Sequence, residues 1–249
     1  MPARMLSGTI RPFSYRSAIK DIVGDGNITA LWMLDETSGV VAVDAVNGFN
    51  GTYINGVLAD TATPWGGVAP RITSLLSNPI DIYSARLNAV FDGDEHSLMI
   101  WVKMLNAGVW TDNATRFIFL LQAGGDASTF IKVNAANQFA GLRIGGGVQE
   151  VVTESGFSTT EWFCAGHSVS RSAGVDGEYK YFRNGVQIGV TQTSLGDYAG
   201  NLDPIRTVIG AALSAPPFLV HNGWLAAALI TSSILTPAQF EQLYTVGLR

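Results

Sequence analysis

Cysteine is all but missing from this sequence. Cys164 is the only one, so no disulfide can close within the chain. Histidine is nearly as scarce. His96, His167 and His221 lie far apart, and none stands at a zinc-site spacing from another histidine or from Cys164. Charged residues make up only 14% of the chain, against about 25% in an ordinary globular domain. The net charge of -5 excludes the basic footprint of a nucleic-acid-binding protein. No stretch reaches the roughly 20 apolar residues that a membrane-spanning helix needs. No leader-like apolar run follows Met1, which sets an expectation of synthesis in a cytoplasm without a secretory signal. Two catalytic signatures are missing as well. There is no Gly-x-Ser-x-Gly nucleophile elbow. Nor does any strand read Glu-x-Asp-x-x-Glu, the pattern that would set two carboxylates about 5–5.5 Å apart for retaining glycoside hydrolysis.

What the chain does have is apolar residues, 47% of its 249, spread over many short alternating runs. The clearest stretch is Glu178 to Val190. Alternating aromatic and polar residues lead to Asn184-Gly185, and Val186, Ile188 and Val190 follow on one face. Asn-Gly between two such runs predicts a β-hairpin with a type I′ turn, because both central residues must adopt positive φ. Ser97 to Met104 reads as a strand with Met99, Trp101 and Lys103 on one face and Leu98, Ile100 and Val102 on the other. Phe117 to Ala123, Glu161 to Ser170, Thr207 to Ala211 and Gly223 to Thr231 read as further strands. Residues 59–70, with Pro64, Gly66, Gly67 and Pro70, read as a long loop. Residues 71–91 read as two short strands. Helical spacing with Ser14 as a cap predicts a helix to Val23. Thr236, Pro237 and Gln239 form a capping box for a closing helix whose C′ residue is Gly247. About a dozen short strands with frequent turns make this an all-β sandwich. The chain divides into an N-terminal arm with its short helix (1–24) and one sandwich domain (25–249).

Candidate sites are few. Trp110, with Asp112 and Asn113 in a polar loop, offers an aromatic face with amide and carboxylate partners for a sugar ring; a plain loop anchor is the competing reading. Asp92, Asp94 and Glu95 surround Gly93 in a turn, where such residues serve the backbone rather than catalysis. Asp35, Glu36 and Asp44 form a local acidic cluster with the same competing reading. Cys164 reads as a small buried hydrophobe. His167 reads as a core or interface residue, and His96 and His221 as residues of surface loops or strand edges. Arg4, Arg11, Arg16 and Lys20, with no acid among the first twenty residues, make a basic arm suited to docking on an acidic partner.

Laid in order, these pieces resemble the laminin-G-like branch of the concanavalin A-like lectin/glucanase superfamily. The resemblance rests on Ala30-Leu-Trp-Met-Leu-Asp-Glu-Thr-Ser-Gly39, Ser97-Leu-Met-Ile-Trp-Val-Lys103, and Glu161-Trp-Phe-Cys-Ala-Gly-His167 followed by Tyr181-Phe-Arg-Asn-Gly-Val186. Gly223-Trp-Leu through Leu235 to Tyr244 completes it. It implies a two-sheet antiparallel jelly roll and leaves function open, because the fold carries lectins, adhesion modules, hydrolases and structural proteins. The family's last strand often carries an acidic pair that helps hold a structural calcium. Ala226, Ala227 and Ala228 stand at those places here, which puts that structural calcium in doubt, and no other cofactor is expected. Related domains occur on phage capsids and tails. The expectation is therefore a non-enzymatic structural or binding module on an assembled particle, a bacteriophage virion, with no catalytic residue and no metal ligand. It would dock on other virion proteins through the arm, form a homo-oligomer and meet host-surface glycans. A free carbohydrate-binding lectin and a glycoside hydrolase with an unrecognised carboxylate pair are the alternatives.

Overall fold

The computed structural model describes residues 14–56 and 59–249. Arg4 and Arg11 of the expected basic arm lie outside the described residues. The chain opens on α1 (Tyr15–Val23), capped by the Ser14 side chain and stopped by Gly24 at φ +85°. Three strands follow: β1 (Ile28–Trp32), β2 (Val41–Ala42) and β3 (Gly51–Tyr53). Then come β4 (Ala59–Ala62), β5 (Val68–Ile72), β6 (Ile80–Asp81) and a six-residue helix, α2 (Ala85–Val90). The central strands are β7 (Glu95–Met104), β8 (Arg116–Ala123), β9 (Asp126–Lys132), β10 (Gln138–Gly145) and β11 (Val148–Ser155). After them run β12 (Phe163–Ser170), β13 (Glu178–Arg183) and β14 (Val186–Thr193). The chain closes with β15 (Thr207–Ile209), β16 (Leu213–Ser214), β17 (Pro217–Phe218), β18 (Gly223–Thr231) and α3 (Pro237–Gly247).

These strands make an all-β, two-sheet antiparallel jelly roll, as the strand pattern predicts. The first sheet runs β14-β13-β12-β7-β18-β5-β4, with β1 also paired to β18. The second runs β11-β10-β9-β8-β15-β6-β3-β2. Between them lies the main core, where Leu98, Ile100 and Val102 of β7 meet Phe119 of β8, Phe130 of β9 and Phe139 of β10. The opposite face of β7 carries Met99 and Trp101 into a second core, outside the first sheet, which α1 and α3 cover with Tyr15, Ile19, Val23, Phe240 and Leu243. The period-two reading of Ser97 to Met104 therefore assigned both faces correctly. The Asn184-Gly185 turn has φ values of +52° and +79°, as a type I′ hairpin demands. Asn184 also ties it down: its Oδ1 accepts the Cys164 N–H at 2.9 Å.

Several expectations need correction. Residues 59–70 are not an open loop: they hold β4 and the start of β5, which pair antiparallel around a tight turn. Pro70 fits because β5 pairs with β18 only through Arg71 and Ile72, beyond the proline. The second short strand expected in 71–91 is instead α2, capped by Ser84. Gly247 is the last helical residue and not a left-handed cap. A Cβ there would lie 2.4 Å from the Trp101 ring, so close approach selects glycine. His96 and His221 are not surface residues; both are buried, His96 inside β7 and His221 just before β18. Finally, α1 does not behave as part of a detachable arm. Tyr15 is fixed twice, its hydroxyl donating to the Leu243 carbonyl at 3.0 Å and accepting from Trp101 Nε1 at 2.8 Å. Burying Tyr15, Ile19 and Val23 is worth on the order of 5 kcal/mol, comparable to the whole net stability of a domain.

Candidate functional site

Trp110 sits at the end of a 3-10 turn (Ala107–Trp110) and is only 1% exposed. Its indole N–H donates to the Thr159 carbonyl at 2.7 Å, and its ring packs edge-on against Phe157 at 5.3 Å. This is the geometry of a loop anchor; no ring face is free to stack on a sugar. Asp112 is equally committed. Its Oδ1 takes Lys132 Nζ and the Ala114 N–H, and its Oδ2 takes Arg116. Burial alone would raise its pKa, but Arg116, the Ala114 N–H and Lys132 outweigh that and hold the carboxylate below its ordinary range. Asn113 is an exposed turn residue at φ +54°. The three predicted residues are therefore neighbours without a shared binding face. A depression of about 350 Å³ does open beside Trp110, lined also by Ala107, Thr111, Asn137 and Ser158 to Thr160, but the aromatic ring on its wall is the buried Trp110 itself.

A better-equipped depression lies on the other side of the first sheet's outer core. It measures about 370 Å³ and is built from three separate segments: Ser14 to Arg16 at the start of α1, Met33 and Asp35 at the exit of β1, and Trp65 to Gly67 at the β4–β5 turn. The turn is closed by the Thr63 N–H to the Gly67 carbonyl at 2.9 Å. The hairpin behind it is pinned by two indole donors, Trp162 to the Ala62 carbonyl at 2.9 Å and Trp224 to Asp60. Trp65 is thus held in place while its ring stays partly exposed. One ring face stacks on Tyr15 at 4.3 Å and 28°, and its edge meets Trp101. At Gly67 a side chain would meet Trp65 Nε1 at 3.3 Å, so glycine keeps that edge of the indole clear. Arg16 is fixed at the rim, donating to the Ala45 carbonyl at 2.9 Å. Lys20, one turn further along α1, pairs with Asp25.

The acidic cluster separates into different duties. Asp44 accepts four backbone N–H groups, from Leu31, Val46, Asn47 and Phe49. Glu36 accepts the Val43 N–H and the Tyr53 hydroxyl. Asp35 alone is exposed and lines the depression. In the Asp92–Glu95 turn, Asp92 caps the Asp94 N–H and Asp94 pairs with Arg143 at 2.7 Å. Cys164 is buried, as expected, and burial pushes its thiol pKa up. Among the described residues, no group of three or more His, Cys, Asp and Glu side chains could hold a metal ion.

One feature is invisible in the sequence. Ser128 of β9 reaches across the sandwich to two imidazoles of the first sheet, His96 Nε2 and His167 Nε2, both at 2.8 Å. A hydroxyl has one proton, so it can donate to only one ring and must accept from the other. Burial and then Arg143 push His96 down to about 3. Burial, His96 and Arg143 push His167 well below its ordinary value. Both rings are therefore neutral in opposite tautomers. A serine between two histidines resembles nucleophile chemistry, but all three side chains are sealed in the interior, where no substrate reaches them.

No protein-family model matches the sequence, and a search of curated proteins finds no relative. Solved structures do match in shape. The chain is similar to a botulinum neurotoxin serotype D binding domain, with 12% identity and a TM-score of 0.61 over 89% of this chain and 52% of that one. It is similar to domain 4 of an extracellular GH43 arabinanase from Geobacillus stearothermophilus, in complex with arabinotriose, with 16% identity and a TM-score of 0.54 over 87% and 98%. A serotype D neurotoxin ligand-binding domain in complex with N-acetylneuraminic acid matches at 13% identity and a TM-score of 0.58, over 92% and 52%. The chain thus spans about half the length of the toxin chains and almost all of the arabinanase domain. At such identities the likeness is one of fold: this is a β-sandwich of the jelly-roll kind found in those binding domains.

Proposed function

We propose that the chain is a non-enzymatic binding module that holds a carbohydrate in the depression beside Trp65. One observation carries the reading: a partly exposed indole, rigidly backed by Tyr15 and Trp101, stands in a polar depression between Arg16 and Asp35. Sugars are recognised by such a pairing, an aromatic surface for the apolar C–H face and convergent polar groups for the hydroxyls. Two of the similar solved domains are complexes with arabinotriose and with N-acetylneuraminic acid, which supports the reading. A glycan array followed by calorimetry tests it. Trp65→Ala should weaken binding at least tenfold and Asp35→Asn several-fold, while Thr160→Ala beside Trp110 should leave it unchanged. Binding that survives Trp65→Ala but fails with Thr160→Ala would move the site to the other depression. Turnover of a polysaccharide, lost on a single Asp or Glu change, would make the protein a hydrolase instead.

We place this module on an assembled particle, the surface of a virion, docked through its basic N-terminal residues. The light charge of the chain and Arg4 and Arg11, which precede α1, support the placement; Arg16 and Lys20, tied to Ala45 and Asp25, stay with the domain. The deletion that tests it must spare α1, because Tyr15, Ile19 and Val23 belong to the core. Removing residues 1–13 should abolish incorporation into particles and keep glycan binding. Unchanged incorporation would remove the docking role.

A further inference from the structure

Ion pairing across the surface leaves Arg16 apart from most other arginines. Arg71 pairs with Asp60, Arg116 with Asp112, Arg143 with Asp94, Arg171 with Asp197, Arg183 with Glu154 and Arg206 with Asp203. Among the described residues Arg16 has no carboxylate partner. Its one tether is the Ala45 carbonyl, which occupies a single guanidinium nitrogen and fixes the side chain without neutralising it. Among the described residues Asp35, on the same depression, has no ion pair either, and it does not pair with Arg16. Opposite charges kept apart across a cavity of this size leave room for a ligand that meets both.

We infer that the ligand is an anionic saccharide, its carboxylate or sulfate taken by Arg16 while Trp65 and Asp35 hold the sugar ring. This rests on the glycan-binding reading above and narrows it. A planar guanidinium with free N–H groups matches a carboxylate or sulfate by two parallel hydrogen bonds. Asp35 accepts hydroxyl protons and sets a limit: its own charge repels a densely charged chain, so one acidic group per sugar unit fits best. Arg16 also lies in the first turn of α1, where the adjoining backbone favours an anion and adds to the attraction.

Calorimetric titration with matched pairs tests this: glucose and glucuronate, galactose and galacturonate, galactose and galactose 3-sulfate, with N-acetylneuraminate as a further acid. At least one acidic member should bind tenfold or more tighter than its neutral partner in low salt, and the advantage should shrink with added sodium chloride. Comparison of the carboxylates with the sulfate identifies which anion the site prefers. Arg16→Gln should abolish the advantage, bringing each acidic member to the affinity of its neutral partner, and leave the melting temperature unchanged. Equal binding of acidic and neutral members, still lost in Trp65→Ala, would overturn this inference and leave the glycan-binding reading standing. An acidic preference that persists in Arg16→Gln would overturn it as well. Binding of none of these sugars would overturn both.

Discussion

Gly185 carries two constraints at once. It needs φ +79°, and a Cβ there would lie 2.5 Å from the Glu241 Cα on α3. Left-handed backbone costs a side-chain-bearing residue roughly 1–2 kcal/mol, and contact with helix backbone cannot be relieved by rotating a side chain. Gly185→Val should therefore destabilise by about 3 kcal/mol or more, read as a lower urea midpoint, with any lost binding only secondary. Unchanged stability would contradict the turn assignment. Gly247→Ala should cost stability for a different reason, because the helix must back away from Trp101. His221 is a third such position: burial and then Arg116 push it down to about 3. Its folded pKa lies below the unfolded value of 6.5, so above pH 6.5 both states are neutral and the group has no effect on pH dependence. Between there and about pH 3 the unfolded chain takes up a proton that the fold refuses, and stability falls. The loss is about 2 kcal/mol from pH 7 to pH 5. His221→Leu should remove that share of the slope in denaturant titrations at pH 7, 6 and 5. An unaltered slope would argue against a buried neutral ring.

At the scale of elements, the His96–Ser128–His167 contact joins β7 and β12 of one sheet to β9 of the other. Below pH 6.5 it should weaken the sandwich in the same sense as His221, since two imidazolium ions would face each other and Arg143. Burial holds Asp94 and Glu150, which face the same arginine, above their usual range. These carboxylates gain protons first in the folded state and offset part of the loss. Elements also show what was legible beforehand. Alternation marked β7, β12 and the β13–β14 hairpin, and an apolar run marked β18, because burial of one face or of both writes itself into the residue pattern. The capping box of α3 was readable because its partners are three residues apart. The β4–β5 hairpin was not, since Pro64, Gly66 and Pro70 read as a loop until the pairing partners are known. α2 was too short to show a helical period. The Trp65 depression was out of reach for a plainer reason: Arg16, Asp35 and Trp65 come from three segments that only the folded chain brings together. Trp110, by contrast, had the right residue type in the wrong setting, a polar loop whose indole turns inward.

On the scale of the whole molecule, the two cores share the first sheet. β7 feeds the main core with Ile100 and the outer core with Trp101, so one strand couples the two. Calorimetry should therefore show one cooperative unfolding transition, α1 and α3 included; two separated transitions would mean that the helical layer melts on its own. The shared sheet also gives practical meaning to the Asn184-Gly185 hairpin. Its tip rests against the backbone of α3, so a peptide tag or fluorescent label spliced there would prise the closing helix from the sandwich. The turn after β12 is a kinder place for such cargo: Val175 is 97% exposed, pointing away from the body of the domain. A reporter carried at that turn would leave the Trp65 depression open to whatever the protein binds.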